Sequence, residues 1–143
     1  MGNKKENGLQ EARIEPRSHW VAEAVDLTLE SGCTATECLL NQSPGLTAIF
    51  ALSDALAIGA LRHACQRKIS VPGALSVIGF DGVELGRYVV PALTSIGQPI
   101  RELGALATTR LLERIRGAQH GPGHRIMLPP KLMVRDSTGP APS

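Results

Sequence analysis

Two kinds of apolar pattern alternate along the chain: short unbroken runs, and longer stretches in which apolar residues recur at helical spacing. Leu46–Leu52 (LTAIFAL) is one such run, set off by Ser43, Pro44 and Gly45. Leu75, Val77, Ile78 and Phe80 within Val71–Gly82 (VPGALSVIGFDG) form another. Apolar runs without polar alternation predict strands buried on both faces. Between them Ala55–Arg67 carries Leu56, Ala57, Ala60, Leu61 and Ala64 on one stripe, which predicts a helix. Strand, helix and strand in so short a length make a βαβ unit, whose strands must be parallel and joined by a right-handed crossover. Ser53 and Asp81 end the two strands and so face one rim. Open α/β sheets take their ligands at that rim, beyond the carboxyl ends of the strands.

The flanking segments are less sharply patterned. Met1–Arg17 is polar, with a thin apolar edge at Leu9, Ala12 and Ile14, and reads as a partial helix or arm broken by Pro16. His19–Val25 alternates weakly and reads as a strand, with Trp20 as a packing anchor. Ser31 is placed to cap a helix running to Asn41, and Asp54 to cap the helix that follows the first strand. Downstream, Val83–Val90 reads as a short helix stopped by Pro91, and Leu93–Gly97 as a third strand. Pro99–Arg116 is the most periodic segment, with Ile100, Leu103, Ala107, Leu111 and Ile115 on one side. A stripe of that kind calls for a packing partner. Gly117–Gly123 reads as a loop, Arg125–Arg135 as two short strands split by Pro129 and Pro130, and Asp136–Ser143 as disordered by composition.

Composition narrows the class. At 143 residues the chain suits one domain with a genuine core. With one Trp, one Tyr and two Phe, that core must be aliphatic. The net charge is +2, and the 15 Lys and Arg residues are spread out rather than gathered into a basic stripe. That distribution argues against nucleic-acid contact by these residues. Three cysteines with no signal peptide before them point to free thiols in a reducing, cytoplasmic setting. Glu6 stands where a myristoylation signal needs Ser or Thr, and no apolar run reaches the roughly 20 residues that span a bilayer.

Candidate chemistry is sparse. Asp81 reads either as a carboxylate accepting hydrogen bonds from ligand hydroxyls or as the turn residue of an Asp-Gly pair. GxSxG, Walker, GxGxxG and paired-His helix motifs are absent. Cys33 and Cys38 lack a second cysteine pair, His120 and His124 lack a third ligand, and His63 reads as a solvent-facing helix residue. The expectation is a non-enzyme without metal or cofactor.

The order of segments is itself informative. TAIFALSDALAIGAL, VPGALSVIGFDG, YVVPALTSIGQP, ELGALATTRLLERIRG and LPPKLMVRDST, from Thr47 to Thr138, resemble the carboxyl-terminal half of the effector domain of the lactose-galactose repressor family. The resemblance implies an α/β fold: a Rossmann-like parallel sheet flanked by helices, forming one incomplete lobe of a type I periplasmic-binding-protein-like fold. It divides the chain into an arm (1–18), second-lobe segments (19–93 and 124–137), a crossover strand and helix (94–123) that would pack on a first lobe, and a tail (138–143). It implies Asp81 as the hydroxyl-binding aspartate, Ser53 at a position where many members carry a contacting Asn, Gln98 near the cleft, and Leu27 where relatives place a stacking aromatic. Ile58 and Tyr88 resemble dimer contacts, with core packing the alternative. The implied function is the effector-sensing and dimerisation portion of a transcriptional repressor. It would answer to a small sugar or nucleobase and reach operator DNA only through a helix-turn-helix that these residues do not contain. A transport-type sugar-binding protein and a dimerisation-only fragment are the alternatives.

Overall fold

The computed structural model describes residues 11–15, 17–117 and 125–142. Three strands, β1 (Ala48–Phe50), β2 (Ser76–Asp81) and β3 (Thr94–Gly97), run parallel, and β4 (Lys131–Met133) closes the sheet antiparallel to β3, in the spatial order β1-β2-β3-β4. Register sets Ile49 beside Val77, Ile78 beside Thr94, and Ile96 beside Leu132. Among the described residues three α-helices accompany the sheet: α1 (Leu29–Gln42), α2 (Asp54–Gln66) and α3 (Ile100–Ile115). The predicted βαβ unit is β1–α2–β2, and its interior is aliphatic as composition required. Ile49, Ala57, Ala60, Leu61, Ala64, Leu75, Val77 and Leu93 are all buried.

Helices α1 and α2 approach to backbone contact, and two glycines permit it. A Cβ on Gly59 would collide with Leu29 O, and one on Gly32 with Leu56 O. That crossing locks α1 over the βαβ unit.

Several local expectations are corrected. Helix α1 is capped by Thr28, not Ser31: Thr28 Oγ1 accepts the Ser31 amide at 3.2 Å. Asp26 makes this possible, because its Oδ1 accepts the Thr28 amide at 3.1 Å, the Thr28 hydroxyl at 2.6 Å and the Ser31 hydroxyl. Helix α2 is capped by Ser53, whose Oγ accepts the Leu56 amide at 3.2 Å, and Asp54 is released for another role. His19–Val25 forms no strand. Trp20 N and Val21 N close a 3-10 turn on Arg17 O and Ser18 O, and Val21 and Val25 stay exposed. The Val83–Val90 helix shrinks to a 3-10 turn, Glu84–Arg87, and only one strand forms around the Pro129–Pro130 break. His63 is buried rather than solvent-facing.

The carboxyl-terminal segment is ordered where composition suggested disorder. Ser137 is wholly buried: its Oγ donates to Val77 O at 2.6 Å and accepts the Thr94 amide at 2.8 Å, joining β2 to β3. Thr138 pairs with Thr94 through their hydroxyls, and Gly139 N donates to Ser76 Oγ. Most of the amino-terminal arm and the loop carrying His120 and His124 lie outside the described residues.

The α1 cap carries a pH dependence. The Ser31 hydroxyl, then the Thr28 hydroxyl and amide, hold the Asp26 carboxyl below its ordinary value of 3.8. A carboxyl that is more acidic when folded stabilises fully above its unfolded pKa, and that contribution is lost as pH falls through the folded pKa. Asp26→Asn is therefore expected to melt slightly below the parent at neutral pH, with the two melting curves converging in acid. Thermal unfolding followed from about pH 7 to about pH 2 checks this.

Candidate functional site

The carboxyl ends of the three parallel strands lie along one edge of the sheet. Pairing of Asp81 with Gly97 brings the ends of β2 and β3 side by side. Gln98, the next residue, therefore stands next to Asp81 although 17 positions separate them in sequence. Its Nε2 donates to Asp81 Oδ1 at 3.0 Å and its amide to Asp81 O at 3.3 Å. Both residues line a depression of about 680 Å³ whose far wall is Pro99, Ile100, Arg101 and Glu102 at the start of α3. The site thus offers a half-buried carboxylate acceptor, an exposed carboxamide that both donates and accepts, and one charge of each sign. That set suits a hydroxyl-bearing small molecule. No nucleophile stands beside a general base in it.

Asp81 has φ of +122°, in the region that favours glycine, and the loop behind it is firmly anchored. Gly82 N donates to Ser95 Oγ at 3.1 Å, and Val83 N donates to Asp54 Oδ2 at 2.7 Å. Ser95 Oγ in turn donates to Asp54 Oδ1 at 2.5 Å. Asp54 and Ser95 are both fully buried. Asp54 is the first residue of α2. Gly82 has no alternative at its position, since its φ is +77° and a Cβ there would meet Gly97 Cα at 2.6 Å.

Ser53 and Leu27 are placed differently from this pair. Ser53 is buried with its Oγ engaged as the α2 cap. Leu27 is exposed and lines a separate, apolar groove of about 360 Å³ with Leu52, Phe50 and Leu39. Ile58 belongs to the core but also floors a third groove with Leu61, Cys65, Val89 and Val90, whereas Tyr88 is largely exposed. The residues that sequence reasoning passed over are Asp54, as an internal anchor, and Ser95. A signal for them existed in Gly79, an isolated glycine inside an apolar strand, which marks a close approach. Here a Cβ at Gly79 would collide with Asp54 Oδ1.

A family model of the periplasmic binding protein-like domain matches residues 4–138. The chain belongs to this family. The ribose operon repressor of Haemophilus influenzae is 38% identical over 131 residues, covering 92% of this chain and 39% of the repressor. The HTH-type transcriptional repressor PurR of Edwardsiella ictaluri is 42% identical over 134 residues, covering 94% of this chain and 39% of that protein. The structure of the transcriptional regulator CelR–cellobiose complex matches with a TM-score of 0.87 at 32% identity, covering 92% of this chain and 40% of that one. The chain spans about two-fifths of the length of the curated relatives it matches. It corresponds to part of the effector domain of lactose-galactose family repressors, as the ordered segments from Thr47 to Thr138 implied.

The open, mostly parallel sheet is the fold of the periplasmic binding protein-like domain. Among the described residues there is no group of three or more His, Cys, Asp or Glu able to hold a metal ion, and no helix long and apolar enough to cross a membrane.

Proposed function

We propose that this chain is the effector-sensing portion of a cytoplasmic transcriptional repressor. In this reading Asp81 and Gln98 hold the hydroxyls of a small sugar or the polar edge of a nucleobase. The observation that carries it is the hydrogen-bonded Asp81–Gln98 pair on the depression at the carboxyl ends of β2 and β3. Relatives named for a ribose operon and for a cellobiose complex support the sugar. Ser53 supports the rim as the α2 cap, whereas Leu27, in the separate groove with Leu52, takes no part in this site. Operator contact would fall to residues other than these, which carry no basic stripe.

Dimerisation is the second part of the proposal. Val90 is 94% exposed and Tyr88 72% exposed beside the groove floored by Ile58, an apolar rim of the kind that pairs across a two-fold axis. Helix α3 has no buried residue, and Ile100, Leu103, Leu111 and Ile115 are exposed along it. Its partner on this reading is the rest of the effector domain.

Calorimetric titration with ribose, cellobiose and adenine tests the effector reading. One of the sugars is expected to bind, and Gln98→Ala to weaken it roughly tenfold, the value of one good hydrogen bond. Sugar binding unchanged in Gln98→Ala would remove that residue from the site.

A further inference from the structure

We infer that Asp54, acting with Ser95, is a positioning residue for Asp81, holding the binding carboxylate's backbone in a conformation it would otherwise leave. Asp81 is a non-glycine residue at φ +122°, and such a residue persists only where its surroundings over-determine it. Its surroundings here are specific. The two amides that follow it, those of Gly82 and Val83, are each fixed by one member of the buried pair: Gly82 N by Ser95 Oγ and Val83 N by Asp54 Oδ2. The pair is internally tied through Ser95 Oγ and Asp54 Oδ1. Asp54 reaches the loop from the first turn of α2 by crossing β2 at Gly79, where no side chain would fit. Three elements thus converge on one loop: α2 supplies the carboxylate, β3 the hydroxyl, and β2 the residue being held. The loop is therefore set by the buried carboxylate rather than by its exposed turn residues Glu84 and Leu85.

The functional consequence rests on the reading of Asp81 as the effector's hydroxyl acceptor, but the coupling itself does not, and the test separates them. Glycine at position 81 relieves the positive φ, so Asp81→Gly is expected to raise the melting temperature of the parent by about 3–5 °C. In an Asp54→Asn background the loop has already relaxed, and the same change is expected to yield less than about 1 °C. Equal gains in both backgrounds would overturn the inference. Ser95→Ala provides the same comparison through the Gly82 anchor should Asp54→Asn fail to fold. Titration with ribose and cellobiose adds the second readout. Where the parent binds, Asp54→Asn is expected to lose roughly tenfold in affinity with the Asp81 side chain intact. Unchanged affinity there would show that Asp54 does not position the carboxylate. If neither sugar binds the parent, the melting comparison alone decides the positioning role, and it is the effector reading that fails.

Discussion

Gly59→Ala is expected to destabilise the protein by about 3 kcal/mol, the upper end of what overpacking costs, lowering its melting temperature by roughly 10 °C. The added methyl would meet Leu29 O, Cys33 N and Gly32 Cα, all of them backbone atoms on α1 that no rotamer change can move aside. The helices would have to separate along the crossing that Gly32 and Gly59 define, losing contacts on both sides of it. Gly104 gives the contrast. It lies in α3 with nothing within 4 Å of an added Cβ, so Gly104→Ala is expected not to lower the transition. Thermal denaturation of the two variants beside the parent checks the pair of expectations. A Gly59→Ala protein that melts with the parent would mean that α1 and α2 pack more loosely than described.

The larger functional effect is expected at Asp81. A ligand hydroxyl bound to a carboxylate contributes about 1.5–3 kcal/mol, and a sugar can offer two hydroxyls to one carboxylate. Asp81→Ala is therefore expected to weaken sugar binding by a hundredfold or more, roughly 3 kcal/mol. Asp81→Asn keeps the size and one acceptor but loses the charge, and should fall between the two. Because Gln98 Nε2 donates to Asp81 Oδ1, truncating Asp81 also frees the carboxamide. The loss should therefore exceed that of Gln98→Ala. Graded loss across Asp81→Asn, Gln98→Ala and Asp81→Ala would distinguish recognition at this pair from a general disturbance of the rim.

The sequence made some of this architecture legible and concealed the rest for physical reasons. Strand β2 and the βαβ unit were readable because unbroken apolar runs around a helical stripe admit few other arrangements. The helix at Pro99–Arg116 was readable as amphipathic, yet a stripe does not name what covers it, and α3 has no buried residue. Helix caps were misplaced at both Ser31 and Asp54. Thr28, Ser31, Ser53 and Asp54 can all cap, and the choice is made by which side chain is drawn off elsewhere: Ser31 toward Asp26, Asp54 toward Val83 and Ser95. The segment after Asp136 looked disordered because its order comes from backbone and hydroxyl bonds across β2 and β3, which composition does not encode. His19–Val25 failed as a strand for the converse reason: its alternation is weak, and it turns Ala22 and Ala24 inward while the larger Val21 and Val25 stay exposed.

The site shows the same division. Asp81 at a strand end was visible from local pattern, as either a ligand acceptor or a turn residue, and the fold is compatible with both. It starts the Asp-Gly turn and lines the depression. Gln98 entered only through family resemblance, since nothing local marks a glutamine after a short strand. What joins it to Asp81 is the β2–β3 register. Asp54 and Ser95 were missed because their importance lies in being buried together, a property of three elements packed at once.

On the proposed reading the Asp81–Gln98 pair holds a sugar-like effector at the carboxyl ends of β2 and β3. Its most direct test is isothermal titration of the parent and of Asp81→Ala with ribose and cellobiose, each protein first shown to melt cooperatively. Saturable binding of one sugar to the parent is expected, weakened a hundredfold or more in Asp81→Ala. Sugar binding of equal strength in both proteins would contradict it.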